Sequence, residues 1–192
     1  MAKEIKTLAP ENPKAWRTWL AKHYQSDETI WVVVSKKDAA RYTLSRSEAV
    51  DEALCYGWID GTTRPLDDEY FLQSFCRRKP KSVWSKINKD KVAGFIKEGR
   101  MEPPGMESIT IAKANGYWSI LDEVEALIIP PDLEKELKKK PVANTFFTAL
   151  SRSDKKRLLQ WIVMAQRSDT RQKRIQEIVT AAAGGKKPLQ FL

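Results

Sequence analysis

Trp58-Ile59-Asp60-Gly61-Thr62-Thr63-Arg64 and Tyr70-Phe71-Leu72-Gln73-Ser74-Phe75-Cys76 stand on either side of Pro65-Leu66-Asp67-Asp68. Both flanks alternate in polarity and carry aromatic and β-branched residues, and the segment between them is turn-forming. The stretch therefore reads as an antiparallel pair of strands. Immediately upstream, Ser45-Arg46-Ser47-Glu48 has the capping-box form, with Val50, Ala53 and Leu54 supplying the buried face of a helix that Gly57 ends. Further back, Ile30-Trp31-Val32-Val33-Val34 is a short β-branched run that predicts a buried strand. Asn12-Pro13 predicts a capped opening helix carrying Trp16, Trp19, Leu20 and His23 at helical spacing.

Downstream of the strand pair the periodicity becomes helical. Val92, Phe95 and Ile96 share one face of a helix that Gly99 stops, and Pro103-Pro104-Gly105 is expected to break the chain before a helix burying Ile109, Ala112 and Ile111. Pro130-Pro131 is the expected internal boundary. Beyond it lie only helices: one near Leu133–Lys139, one carrying Phe146, Phe147 and Leu150, and a pair capped at Ser153 and at Ser168-Asp169. Gly184-Gly185 should end the last of them and leave a mobile tail at Lys186–Leu192. The expectation is an α+β protein: a small antiparallel sheet with flanking helices over residues 1–129, then an all-helical part over 130–192, packed as one unit.

Of 192 residues, 42% are hydrophobic and 31% charged, a balance suited to a folded chain. The formal charge of +9 is uneven, with a net +1 over residues 1–129 and +8 over 130–192. Such a field favours acidic partners without choosing among nucleic acid, anionic protein surfaces and small anions. No apolar run approaches the roughly 20 residues of a transmembrane helix, and the opening residues carry no secretory signal, so the expected location is the cytoplasm. With one histidine, His23, and two separated cysteines, Cys55 and Cys76, no metal site is indicated. The chain has no GxGxxG, GxxxxGK[ST] or GxSxG, so no cofactor is expected either.

Two cationic segments stand out. Arg77 to Lys91 holds seven Lys/Arg against one acid, follows a predicted strand, and includes Ser82, Ser85 and Asn88 as hydrogen-bond donors and Trp84 as a stacking surface. An anion-binding loop has this composition; so does a solvated connection with Trp84 buried beneath it. The second is a helical stripe of Arg167, Arg171 and Arg174 with Lys173 beside it, which reads as a nucleic-acid surface or as a solvated, internally paired face. Trp58, Trp84 and Trp118 each lie beside a glycine, a turn or the basic loop and can wall a pocket, whereas Trp16, Trp19, Trp31 and Trp161 fall on inward positions.

Cys55-Tyr56-Gly57-Trp58-Ile59-Asp60, Arg77 to Asn88, Gly99-Arg100-Met101-Glu102-Pro103-Pro104-Gly105 and Thr170-Arg171-Gln172-Lys173-Arg174-Ile175 together resemble the YdeI/OmpD-associated family. This bacterial family is named for bacteriocin protection and porin association. The resemblance implies a cytoplasmic α+β front portion followed by a helical module, and it brings no reaction with it. Three readings follow. The leading one is a non-catalytic module in which Trp58, Asp60, Arg77, Arg78, Lys79, Trp84 and Asn88, with Arg100 close by, bind an anionic small molecule or an acidic protein surface. The second is nucleic-acid binding through Arg167, Arg171, Lys173 and Arg174. The third is a small enzyme using Cys55, activated by His23, or Asp60, although Cys55 on an apolar helical face is more simply a packed thiol.

Overall fold

The computed structural model describes residues 6–191. The chain forms two compact units that divide between Trp118 and Ser119.

The N-terminal unit is built on a four-stranded sheet of β1 (Thr7–Leu8), β2 (Ile30–Ser35), β3 (Trp58–Pro65) and β4 (Tyr70–Arg77), in the order β1-β2-β4-β3. The hairpin forms as expected, with Trp58 opposite Arg77 and Ile59 opposite Cys76, and β4 also pairs antiparallel with β2. The sheet is nevertheless mixed rather than antiparallel, because β1 lies parallel to β2. A two-residue strand is too short to show an alternating pattern, so the sequence does not announce it.

The β3–β4 ladder shifts register between Asp60 and Thr63. At such a shift some carbonyls lose their ladder partners, and buried Gln73 meets them: its Nε2 donates to Gly61 O at 3.0 Å and to Thr62 O at 3.3 Å. A Cβ on Gly61 would lie 2.7 Å from Ser74 Oγ, so a larger residue there would have to displace that hydroxyl.

Helices α1 (Pro13–His23), α2 (Arg46–Cys55), α3 (Lys86–Lys97) and α4 (Pro103–Ala114) complete this unit. Asn12 caps α1, and Ser45 with Glu48 makes the full capping box on α2. Trp16, Leu20, Val32, Leu54, Trp58, Phe75 and Trp84 share one core. Trp16 is fully buried and its indole N–H donates to Ala49 O at 3.0 Å, so truncation to alanine should cost about 3–5 kcal/mol.

Pro103 and Pro104 do not break the chain ahead of α4 but occupy its first turn, where a missing N–H costs no hydrogen bond. Ile96 and Ile111, expected inside, are 45% and 38% exposed. Each lies just off the stripe set by Val92 and Phe95 or by Ile109 and Ala112, and those stripes already fill the interface.

The second unit holds a single turn, α5 (Asp122–Glu125), followed by α6 (Pro131–Lys138), α7 (Pro141–Ala149), α8 (Arg152–Val163) and α9 (Ser168–Ala183). Pro131 starts α6 rather than separating two units. Leu133, Leu137, Phe147, Leu158, Leu159, Ile162, Ile175, Ile178 and Val179 are buried here. Ser151, not Ser153, caps α8, and α9 begins after Arg167 with no side-chain cap, because Ser168 Oγ is instead near Asp169 Oδ1. The tail is not free. Residues Leu189–Phe191 form a 3-10 turn, Phe191 meets Trp161 edge-on at 5.4 Å, and Lys187 pairs with Asp154 at 3.1 Å. Leu192, the last residue of the expected tail, lies outside the described residues, as do residues 1–5.

Candidate functional site

The end of β4 and the loop after it carry the cationic run, and the local hydrogen bonds fix their course. Arg78 N donates to Gly57 O at 2.9 Å, which ties the strand exit to the junction between α2 and β3. Ser82 N donates to Lys79 O at 2.9 Å while Lys79 N donates to Ser82 Oγ at 3.0 Å, closing a turn whose Pro80 carbonyl accepts from Asn115 Nδ2 at 2.6 Å. Ser82 and Ser85 are therefore spent on structure: one in this turn, the other capping α3 at Asn88 N.

Trp84 lies beneath this loop, 1% exposed, with its ring 5.0 Å from Trp118. Arg78 stacks on it, the guanidinium carbon 3.7 Å from the ring centroid.

Two close backbone approaches bring the remaining wall into place. Gly57 has φ +73°, and a Cβ there would lie 2.7 Å from Pro104 O; a Cβ on Gly105 would lie 2.2 Å from Cys55 O. The start of α4 is thus pressed against Cys55-Tyr56-Gly57. A cavity of about 580 Å³ results, within the range of small-molecule sites. Tyr24, Gln25, Asp27 and Thr29 line it from the α1–β2 connection, Tyr56 and Gly57 from the α2–β3 junction, and Cys76, Arg77, Arg78, Lys79, Pro80 and Trp84 from the β4 exit. Pro104, Glu107, Ser108, Ile111 and Ala112 line it from α4. Three of the four sequence blocks that carry the family resemblance contribute to this wall.

Arg78 has the most unusual surroundings. It is 8% exposed, its Nη1 donates to Val83 O at 3.1 Å, and its Nε and Nη2 are buried with no hydrogen-bond partner among the described residues. Desolvation pulls its pKa down to about 10, against the opposite pull of Asp60 and Cys76, so it remains a cation at neutral pH. Nε–H and one Nη–H lie on one edge of a guanidinium, the edge that grips a carboxylate or phosphate with two parallel bonds. Arg77 and Lys79 are exposed on the same cavity; Arg77 meets Asp27 only at 3.8 Å. The three cations outnumber the two carboxylates lining it, Asp27 and Glu107.

Arg77, Arg78, Lys79 and Trp84 are thus brought together, and the other expected members are not. Trp58 does not wall the cavity: it is fully buried, edge-on to Trp19, and donates from its indole nitrogen to Tyr24 O at 3.0 Å, which anchors the residue that does line it. Asp60 is held by Arg46 at 2.9 Å and acts on Arg78 only through its field. Asn88 sits in the first turn of α3, away from the lining. Arg100 is drawn elsewhere by Glu52, a nearly buried carboxylate that holds Arg100 at 3.0 Å and Arg17 at 2.7 Å. A buried carboxylate needs such compensation, and two guanidinium groups supply it.

Cys55 is fully buried, and burial pushes its thiol up despite a bond from Arg17. His23 stacks on Trp19 at 4.3 Å with Nδ1 2.8 Å from Trp19 O, so the structure does not bring it to Cys55 as an activating base.

In the second unit, Arg171 grips Asp132 through Nε at 2.6 Å and Nη2 at 2.9 Å, and Arg174 Nη1 donates to Trp161 O at 2.5 Å. Arg167 and Lys173 are exposed. Two of the three arginines of the stripe are therefore committed within the chain. Sequence reasoning missed Tyr24, Tyr56 and Ser108 as cavity residues; the signal available for them was the pair Pro104-Gly105, small and rigid enough for one backbone to touch another.

Fold and site together define a class: an α+β unit with a cation-walled cavity, followed by an all-helical unit. Residues 8–108, more than half of the chain, match the model of a family described as a domain of unknown function (DUF8412), and the chain belongs to that family. Residues 126–185 match the model described as "Bacteriocin-protection, YdeI or OmpD-Associated", so the helical part is similar to that family over this segment. Thr170–Ile175 lies inside this second match, while the three earlier blocks fall within the first. Neither the search of curated proteins nor the search of solved structures finds a match. Among the described residues no helix is long and apolar enough to cross a membrane.

Proposed function

We infer that the N-terminal unit is a non-catalytic module that holds a small carboxylate or phosphate between Arg78 and the cations of the rim. The observation that carries this reading is Arg78 itself, a buried cation with two N–H groups unpartnered beside a cavity. Leaving such donors unpaired costs about 1–3 kcal/mol each, and an anionic ligand would recover that cost with charge-assisted bonds. Both N–H groups are covered from solvent, so the reading requires the guanidinium to turn toward the cavity as the ligand enters. Arg77 and Lys79 would attract the anion and Tyr56 and Trp84 would pack its apolar part. The reading places the protein in the cytoplasm, where small organic anions and phosphates are plentiful.

Cys55, buried with a raised thiol, supports packing rather than chemistry. The nucleic-acid reading of the C-terminal stripe has less behind it, because Arg171 and Arg174 already have partners within the chain.

Calorimetric titration of the full chain with inorganic phosphate and with succinate tests the proposal. Saturable binding of at least one is expected. It should weaken at least tenfold in Arg78→Met, weaken severalfold in the Arg77→Ala/Lys79→Ala double variant, and fall with added NaCl. Absence of saturable binding to both anions, or full affinity retained in Arg78→Met, would overturn it.

A further inference from the structure

The helical unit contains a second site that owes nothing to the first cavity. Arg157, Gln160 and Trp161 on α8 and Met164 at its C-cap recur at helical spacing and so share one face. Arg174 on α9 and Phe191 from the docked tail border the same face, and together these six residues line an open groove of about 400 Å³. None of the six lining residues is acidic.

Rings and guanidinium groups alternate along its wall. Arg157 lies 5.2 Å from the centroid of Phe191, Phe191 meets Trp161 at 5.4 Å with 72° between the planes, and Arg174 lies 5.1 Å from the centroid of Trp161. Two rings at that angle make a corner that offers a third ring one face and one edge.

The charge in this corner is weakly compensated. The nearest carboxylate to Arg157 is Asp154 Oδ1 at 4.0 Å, and that oxygen is held by Lys187 at 3.1 Å. Arg174 spends Nη1 on the Trp161 carbonyl and is one of the residues lining the groove. A ligand complementary to this wall has a flat aromatic body for Trp161 and Phe191 and an acidic group for Arg157 and Arg174.

The geometry points to a second ligand site, at Arg157, Trp161, Arg174 and Phe191, for a planar aromatic anion, either an aromatic carboxylate or a nucleoside phosphate. Neither half of such a ligand is enough: the rings favour any flat molecule and the guanidinium groups any anion, but only both together fill the corner.

The test follows the Trp161 indole N–H resonance, assigned with Trp161→Phe, in the full chain labelled with 15N-tryptophan. Four probes are titrated: adenosine 5′-monophosphate, 4-hydroxybenzoate, adenosine and inorganic phosphate. A saturable Trp161 shift is expected with the nucleotide, the hydroxybenzoate or both, and the tighter binder identifies the source. Adenosine and phosphate should each bind at least tenfold more weakly than that binder. Arg157 is more than half exposed, so Arg157→Gln should fold normally and weaken the preferred probe about tenfold. Phe191→Leu should weaken it about threefold. The inference is overturned if neither aromatic anion shifts Trp161, if adenosine or phosphate alone binds as tightly, or if Arg157→Gln retains affinity within twofold.

Discussion

Arg78 in the N-terminal unit and Arg171 in the C-terminal unit use the same chemical edge in opposite ways. Arg171 gives Nε and Nη2 to the two oxygens of Asp132, at 2.6 and 2.9 Å, at a site where its side chain is 30% exposed. Arg78 keeps Nε and Nη2 without a partner, in a setting far more buried and beside a cavity. Exposure makes the fork of Arg171 cheap to leave open, and it is filled; burial makes the fork of Arg78 costly to leave open, and it is not. The difference teaches where to look for a ligand. A filled fork is part of the fold, whereas an unfilled buried one is a cost that the fold tolerates and that a bound anion would remove.

The largest effect should come from disturbing the enclosure that makes the Arg78 fork costly. Gly105→Ala places a Cβ 2.2 Å from Cys55 O, so α4 must retreat from Cys55-Tyr56-Gly57. Loss of about 3 kcal/mol is expected by urea denaturation, since backbone cannot yield as a side chain would. The variant should also lose its response to whichever of phosphate and succinate binds, while the Arg171–Asp132 pair stays intact. A fully stable Gly105→Ala protein would mean that the cavity wall is not held as described.

Arg78→Met sharpens the contrast in sign. The substitution forfeits the bond to Val83 O, about 1 kcal/mol, and stacking of the cation on Trp84, about 2 kcal/mol when desolvated. It also relieves a buried charge whose pKa is pulled down by desolvation. Without anions the net change should stay within about 1 kcal/mol and can be favourable. A melting experiment with and without whichever of phosphate and succinate binds should show a rise in Tm for the wild type that is much smaller in Arg78→Met.

How much of this was legible from the residues differs between fold and site. The capping box at Ser45 and Glu48 and the β3–β4 hairpin were plain, because each depends on contacts close in sequence. β1 was not, since Thr7-Leu8 becomes a strand only by lying beside Trp31 and Val32. At the site, Arg77-Arg78-Lys79 and Trp84 stood out as one local run. Asp60 and Arg100 were misplaced for a common reason: their charges are answered by Arg46 and Glu52, which sequence distance hides. Tyr24, Tyr56 and Ser108 were invisible because they reach the cavity on three separate segments, two joined by backbone contact at Gly57 and Gly105 and the third tied in by the Trp58 bond to Tyr24 O. Charge is easily read along a chain; which opposite charge will meet it is not.

The smallest effects concern the filled fork. Arg171→Met should lower stability by about 1 kcal/mol, the scale of a partly exposed bidentate pair, where Arg78→Met costs little or nothing. Its pH dependence then isolates the partner. The bond from Arg171 holds the pKa of Asp132 below the ordinary carboxylate range, outweighing the smaller upward pull of burial. A carboxylate whose folded pKa is depressed contributes fully above its unfolded pKa of about 3.9 and loses that contribution as pH falls through the folded value. Urea denaturation of the wild type and Asp132→Asn should therefore separate the two proteins at pH 7 and bring them together toward pH 2. A gap that persists unchanged into acid would mean that Arg171 and Asp132 contribute through packing rather than charge, and the filled fork would then no longer serve as the electrostatic reference against which Arg78 is judged.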